Sequence, residues 1–207
     1  MPIPDLNEQR RISEYLDTET YRIQALLDNR SRQRKSISER ELSQIAFEVS
    51  GADKVDDRAP SIWPWLDATP SHWPSAPVYC YYDVQLGKML NQERATSGRQ
   101  VPYLRNANIG WYTIRTEDLA TMSFEPWERR RYSVRRGDLL VCEGGAGVAE
   151  SAVWDRNDIE IYYQKSLHRV RKKTELPVEW LMYWLRLAKN VGLFEADGNI
   201  STIPHLT

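Results

Sequence analysis

The sequence predicts an α+β protein: a long N-terminal, coiled-coil-forming helix followed by a mixed, mostly antiparallel α+β module. Three observations predict it. Residues 7–50 contain no proline or glycine and carry apolar side chains at helical spacing. From Val78 onward, short β-branched and aromatic runs alternate with glycine- and aspartate-containing turns. Near the C-terminus, Val178–Asn190 has a strong apolar stripe bounded by Pro177 and Gly192. The expected organisation is a helix over 1–51, a Pro/Trp-rich strap over 52–77 and a globular domain over 78–207.

In the first segment Asp5 or Asn7 can cap the helix, Glu8 and Glu14 suit its positive end, and Gly51 follows its close. Ile12, Tyr15, Leu16, Ile23, Leu26 and Leu27, then Ile37, Leu42, Ile45 and Val49, form one apolar stripe. As a single helix it would be about 65 Å long. Arg30, Arg32, Arg34 and Lys35 interrupt the stripe, and a break or a change of partner is one expectation there. A narrow apolar stripe on a long helix needs a second helix to cover it. Ile12, Leu16, Ile23, Leu27 and Ile45 are therefore the expected partner-binding residues, with a homodimer through the helix as one outcome. The alternative is a solvated surface helix folded back on its own domain. Eight basic and eight acidic residues over 7–50 fit either case.

The second segment holds Pro60, Pro64, Pro70, Pro74 and Pro77, a density expected to prevent regular structure. Trp63, Trp65 and Trp73 are interleaved, which predicts a strap whose indoles pack onto the domain that follows. In the third segment the expected strands are 101–105, 109–114, 138–142, 159–163 and 167–171.

The 28 Lys and Arg residues nearly cancel the 29 Asp and Glu, so only the local charge distribution can point to a nucleic-acid partner. No apolar run is long enough to span a membrane, and no signal peptide is recognisable. Cys80 and Cys142 both sit in apolar surroundings and read as buried thiols of a reducing, cytoplasmic compartment. Neither they nor His72, His168 and His205 have metal-ligand spacing, so no metal or other cofactor is expected. The Gly144-Gly145-Ala146-Gly147 loop lacks the lysine of a phosphate-binding loop and reads as a tight bend. No methyltransferase or nuclease motif is found, and the chain is expected not to be an enzyme.

Positive charge gathers at Arg129-Arg130-Arg131 and Arg135-Arg136, which are expected to bracket a short strand, and at Lys165, His168, Arg169, Arg171, Lys172 and Lys173. On a strand Arg169 and Arg171 share a face. Arg105, Asn106, Asn108, Gln164 and Lys165 are polar residues able to read base edges. The expected DNA-binding set is Arg105, Asn106, Asn108, Arg130, Arg131, Gln164, Lys165 and Arg169.

Several of these segments resemble the specificity subunits of Type I restriction-modification systems. Ile3-Pro4-Asp5-Leu6-Asn7-Glu8-Gln9-Arg10-Arg11-Ile12, running on through Tyr15-Leu16-Asp17, resembles the start of that family's conserved long helix. Trp65-Leu66 with Pro70-Ser71-His72-Trp73 resembles the opening of its target recognition domain. Tyr103-Leu104-Arg105-Asn106-Ala107-Asn108-Ile109 resembles an early strand motif, and Arg136-Gly137-Asp138-Leu139-Leu140-Val141 with Gly144-Gly145 its Gly-Asp strand. Ile200-Ser201-Thr202-Ile203-Pro204-His205-Leu206 resembles the closing segment. The resemblance implies a non-catalytic subunit that binds double-stranded DNA and directs methyltransferase (modification) and restriction subunits to a split target. Full members have two recognition domains and two helices, whereas this sequence has one of each. A half-subunit, a fragment, or a silent or truncated recombination cassette are the readings of that difference, beside an interaction scaffold that does not read DNA.

Overall fold

The computed structural model describes residues 2–54, 57–90, 96 and 98–194. The chain divides into two compact units, residues 1–44 and the remainder from Ile45 on.

Helix α1 spans Leu6–Val49, 44 residues without interruption. The Asp5 carboxylate starts it by accepting from the backbone N–H of Asn7 and of Glu8, both at 2.9 Å. The basic stretch around Arg32 does not break it. Exposed Glu8–Arg11, Glu19–Arg22 and Lys35–Glu39 pairs lie along it at three- and four-residue spacing and contribute a few tenths of a kcal/mol each. In the first unit the apolar stripe is open to solvent: Ile12, Leu16, Ile23 and Leu27 are 42–58% exposed. Gly51 ends the helix at φ +64, with its N–H on the Glu48 carbonyl and that of Ala52 on Phe47.

The second unit begins inside the last turn of α1. Ile45 and Val49 are buried against Leu187, Trp65, Trp180 and Trp184. Expected among the partner-binding residues, Ile45 instead belongs to this unit's own core. The segment that follows does contain regular structure, in contrast to the expectation from its prolines. Strand β1 (Arg58–Pro60) pairs antiparallel with β2 (Ala68–Pro70). Its prolines sit at strand ends in a two-stranded ribbon, where a missing N–H costs little, and Arg58 donates to the carbonyls of Gly51 and Ala68. Trp65 stacks edge-on against Trp184 and Trp73 against Trp180, with centroids at 5.5 and 5.7 Å.

A short helix α2 (Val78–Tyr81) leads into β3 (Tyr82–Leu86). Then come β4 (Gln100–Leu104), a 3-10 turn (Asn106–Asn108), β5 (Ile109–Gly110), β6 (Thr113–Ile114) and β7 (Ala120–Ser123). Helix α3 (Pro126–Tyr132) precedes β8 (Leu139–Cys142), β9 (Ser151–Val153), β10 (Tyr162–Tyr163) and β11 (Leu167–Lys172). Helix α4 is Val178–Asn190. The expected single strand over 109–114 is a tight hairpin turning at Trp111-Tyr112, with Tyr112 at φ 63.

The central sheet is antiparallel throughout, in the order β3-β11-β8-β9. All four β8 residues are buried, because both faces of the sheet are covered. Leu139 and Val141 face Val178, Leu181, Met182 and Leu185 of α4. Leu140, Cys142 and Leu167 face a second core with Leu104, Trp154, Ile161 and Tyr163. There a smaller sheet, β10-β4-β7, pairs β10 parallel and β7 antiparallel to β4. No helix among the described residues is long and apolar enough to cross a membrane.

Candidate nucleic-acid interface

Strands β4 and β10 run parallel, so the segments leaving them emerge on the same side of the unit. Gln164 N–H donates to the Leu104 carbonyl at 3.0 Å, and Lys165 N–H to that of Lys88 at 2.8 Å. Ser166 ties the cluster together. Its hydroxyl oxygen accepts from Asn106 N–H (3.3 Å) and Gln164 Nε2 (3.0 Å), and its carbonyl accepts from Glu143 N–H (2.9 Å). Asn106 Nδ2 donates to the Gly144 carbonyl at 3.0 Å. Gly87 permits this convergence, since a Cβ there would collide with the Gln164 backbone.

The structure thus brings Arg105, Asn106, Gln164 and Lys165 into one loop cluster. Lys165 is exposed, and the other three are half-buried. Arg105 pairs with exposed Asp118 at 3.1 Å, a contact that solvent weakens. Asn108 joins the cluster differently. It is 3% exposed, accepts from Arg105 N–H, and donates Nδ2 to the carbonyls of Arg115 and Asp118, all at 3.1 Å. Its amide shapes the loop that carries Arg105, so the expectation of a base contact is corrected to a positioning role.

The second basic cluster is also altered. Arg169 and Arg171 do share a face of β11, as period-two alternation requires, but that face is covered. Arg169 is 5% exposed and donates to the carbonyls of Arg131 (3.0 Å) and Ser133 (3.3 Å) and to Asp83 (3.0 Å). Arg171 makes a bidentate pair with Asp138, both contacts at 2.6 Å, which raises the guanidinium pKa further. Arg169 therefore pins the 131–133 segment onto the sheet and is not open to a phosphate.

Residues 129–131 form the last turn of α3 and not the edge of a strand. Pro126 opens that helix, and Glu125 and Glu128 form a reciprocal capping box. Glu128 is buried and meets Lys88 Nζ at 2.5 Å, while Lys88 also donates to the Ser123 carbonyl and lies 4.6 Å from the Phe124 ring centroid. Arg130 and Arg131 are exposed, as are Arg135 and Arg136 in the following segment. Sequence reasoning missed two members of these surfaces. Ser166 is marked by nothing but its polarity, whereas Trp127, 63% exposed on α3, is marked by a capping pattern that predicts a helix.

Cys80 is exposed and Cys142 buried, so the expectation of two buried thiols holds for one only. Burial pushes the Cys142 thiol up to about 12, with Glu150 adding to the shift and Lys189 opposing it. The closing motif 200–206 lies outside the described residues.

No family model matches the chain. No curated protein matches it either. Solved structures do. The HsdS subunit from Thermoanaerobacter tengcongensis superposes with a TM-score of 0.54 at 20% identity, covering 100% of this chain and 46% of that one. A chain from a study of complex assembly and conformational transition of the type I R-M system gives 0.52 at 17% identity, covering 98% and 46%. The chain spans about half the length of these structures.

Proposed function

We propose that this chain, which has the fold of a Type I restriction-modification specificity subunit, is a non-catalytic, sequence-specific DNA-binding component of such a complex in a reducing cytosol. One observation carries the reading. The likeness to the HsdS subunit covers 100% of this chain. The globular unit would read one part of a split target through the loop cluster, with Arg105, Gln164 and Lys165 as base- or phosphate-contacting donors and Asn106 beside them. Arg130 and Arg131 would add phosphate contacts. Helix α1 would supply the docking surface for a second helix, in another copy of this chain or in a partner, through Ile12, Leu16, Ile23 and Leu27. Methyltransferase and restriction subunits would assemble on the result.

A second reading, a scaffold that binds those subunits without reading DNA, is favoured by one observation. Asn108, Arg169 and Arg171 are all engaged within the chain. Fluorescence anisotropy with random and selected duplexes at several salt concentrations separates the two, with and without the modification subunit. Sequence-dependent binding supports the first reading. A stable protein complex with no duplex preference supports the second. A homodimer should select a palindrome, so an asymmetric split target would rule the homodimer out.

A further inference from the structure

We infer that α3 is a DNA-backbone anchor in which Trp127, on the same helix face as Arg130 and Arg131, packs on sugar faces of the duplex while the two guanidinium groups contact phosphates. The inference rests on the proposed DNA-binding reading and adds to it a contact residue, an aromatic one, outside the loop cluster.

Residues 127, 130 and 131 stand at i, i+3 and i+4 and so share one face of the helix. The opposite face is fixed. Glu128 is buried against Lys88, Tyr132 packs edge-on against Tyr163 at 6.1 Å, and Arg129 Nε donates to the Phe124 carbonyl. The exposed face is therefore carried by a helix that the core holds in place. It presents an indole that is 63% exposed.

The charge around this face is one-sided. Asp83 pairs with Arg169, Asp138 with Arg171, and Glu128 with Lys88. Those pairs neutralise three nearby carboxylates. Glu125, exposed at the start of α3, is engaged in the capping box. Arg130, Arg131, Arg135 and Arg136 have no carboxylate partner among the described residues; the Arg131 guanidinium lies over the Tyr132 ring at 5.4 Å. An unopposed run of guanidinium groups beside an exposed aromatic complements a polyanion that also offers apolar sugar faces. An acidic protein surface would match the charge but would give no reason for an exposed indole on the same helix face as the arginines.

Three variants of the full chain test this: Arg130→Gln/Arg131→Gln, Arg130→Lys/Arg131→Lys and Trp127→Ala. Each is expected to melt as the parent does, because the altered side chains are exposed. With duplex at varied salt, the glutamine variant should lose affinity on the order of tenfold or more at 0.1 M salt. Its log-log salt slope should fall by about 1.8, for two lost phosphate contacts. The lysine variant should keep the parent slope. Trp127→Ala should weaken binding about fivefold or more with the slope unchanged. All three should preserve the ranking of duplex sequences, since backbone contacts carry no base information. If the parent binds duplex and the glutamine and alanine variants match it, the inference is overturned while the DNA-binding reading stands. If those variants lose the modification subunit but keep DNA, α3 is a protein-docking face and the inference is overturned. If the parent binds no duplex under any condition, both fall.

Discussion

Helix α3 is attached to the second unit through a buried ion pair, and cutting that pair is expected to be among the costliest changes on its surface side. Lys88 and Glu128 side chains are 5% and 7% exposed, with Nζ and Oε2 2.5 Å apart. Lys88 Nζ has one further acceptor, the Ser123 carbonyl at 2.8 Å. Glu128 Oε2 also accepts from Glu125 N–H at 2.8 Å, so it caps α3 as well as pairing. Removing one partner leaves the other charge buried, at a cost of about 3–5 kcal/mol. Glu128→Gln keeps an acceptor in place and belongs at the lower end. Lys88→Met leaves a carboxylate facing a thioether and belongs higher. The double replacement Lys88→Met/Glu128→Leu removes both charges and should cost far less than the sum of the singles.

All eight tryptophans lie at position 63 or beyond, so urea unfolding followed by tryptophan fluorescence reports on the second unit. A loss of 3–5 kcal/mol corresponds to a fall in melting temperature of roughly 6–20 °C for a domain of this size. If the proposed DNA-binding role of α3 holds, the duplex affinity of each single variant should fall in step, because α3 loses its anchor. Single replacements that each cost under about 1 kcal/mol and add in the double variant would refute the reasoning, since that is the behaviour of a solvated pair.

Other outcomes follow from the same structure. Asn108→Ala should destabilise by about 2–4 kcal/mol, because it strands the Arg105 N–H and two carbonyls; an unchanged melting temperature with lost DNA affinity would instead make it a base contact. Leu16→Glu/Ile23→Glu should abolish any self-association detected by sedimentation and leave the tryptophan unfolding curve unchanged, as both side chains are more than half exposed in the first unit. Ellman's reagent at pH 8 should titrate one thiol in the native protein, that of Cys80, and a second only in urea. Burial holds Cys142 protonated there, and two fast equivalents in the native state would contradict it.

Much of the fold was legible where a strong local signal stood alone. Pro177 before and Gly192 after an apolar stripe delimit α4 as Val178–Asn190 in sequence and structure alike. Helix α1 differs by one residue at each end. Strands β4, β8 and β11 were readable from β-branched and aromatic runs. The hairpin at Trp111-Tyr112 was not, because its turn places a tyrosine at φ 63 where asparagine or glycine would have announced it. Helix α3 was obscured by its three arginines, although Pro126 and the Glu125/Glu128 pair are a helix-start signature. The engagement of Arg169 and Arg171 could not be read locally at all. Their carboxylates are 86 and 33 residues away in sequence, and only the sheet register brings Asp83 opposite Arg171 and beside Arg169.

That last point decides what the near-zero net charge means. A chain with 28 positive and 29 negative residues has no global attraction for a polyanion. The fold, however, does not distribute its pairs evenly. Carboxylates within the unit, buried Glu128 and Asp138 and exposed Asp83, take Lys88, Arg171 and Arg169, so the two arginines that looked like phosphate ligands on a strand are withdrawn. Four of the basic residues left without a carboxylate partner among the described residues sit on and just after α3: Arg130, Arg131, Arg135 and Arg136. The withdrawn arginine Arg169 holds the carbonyls of Arg131 and Ser133 in place. The internal pairs therefore make the outer arginines a fixed surface, and it is on that surface that the proposed DNA binding is best tested.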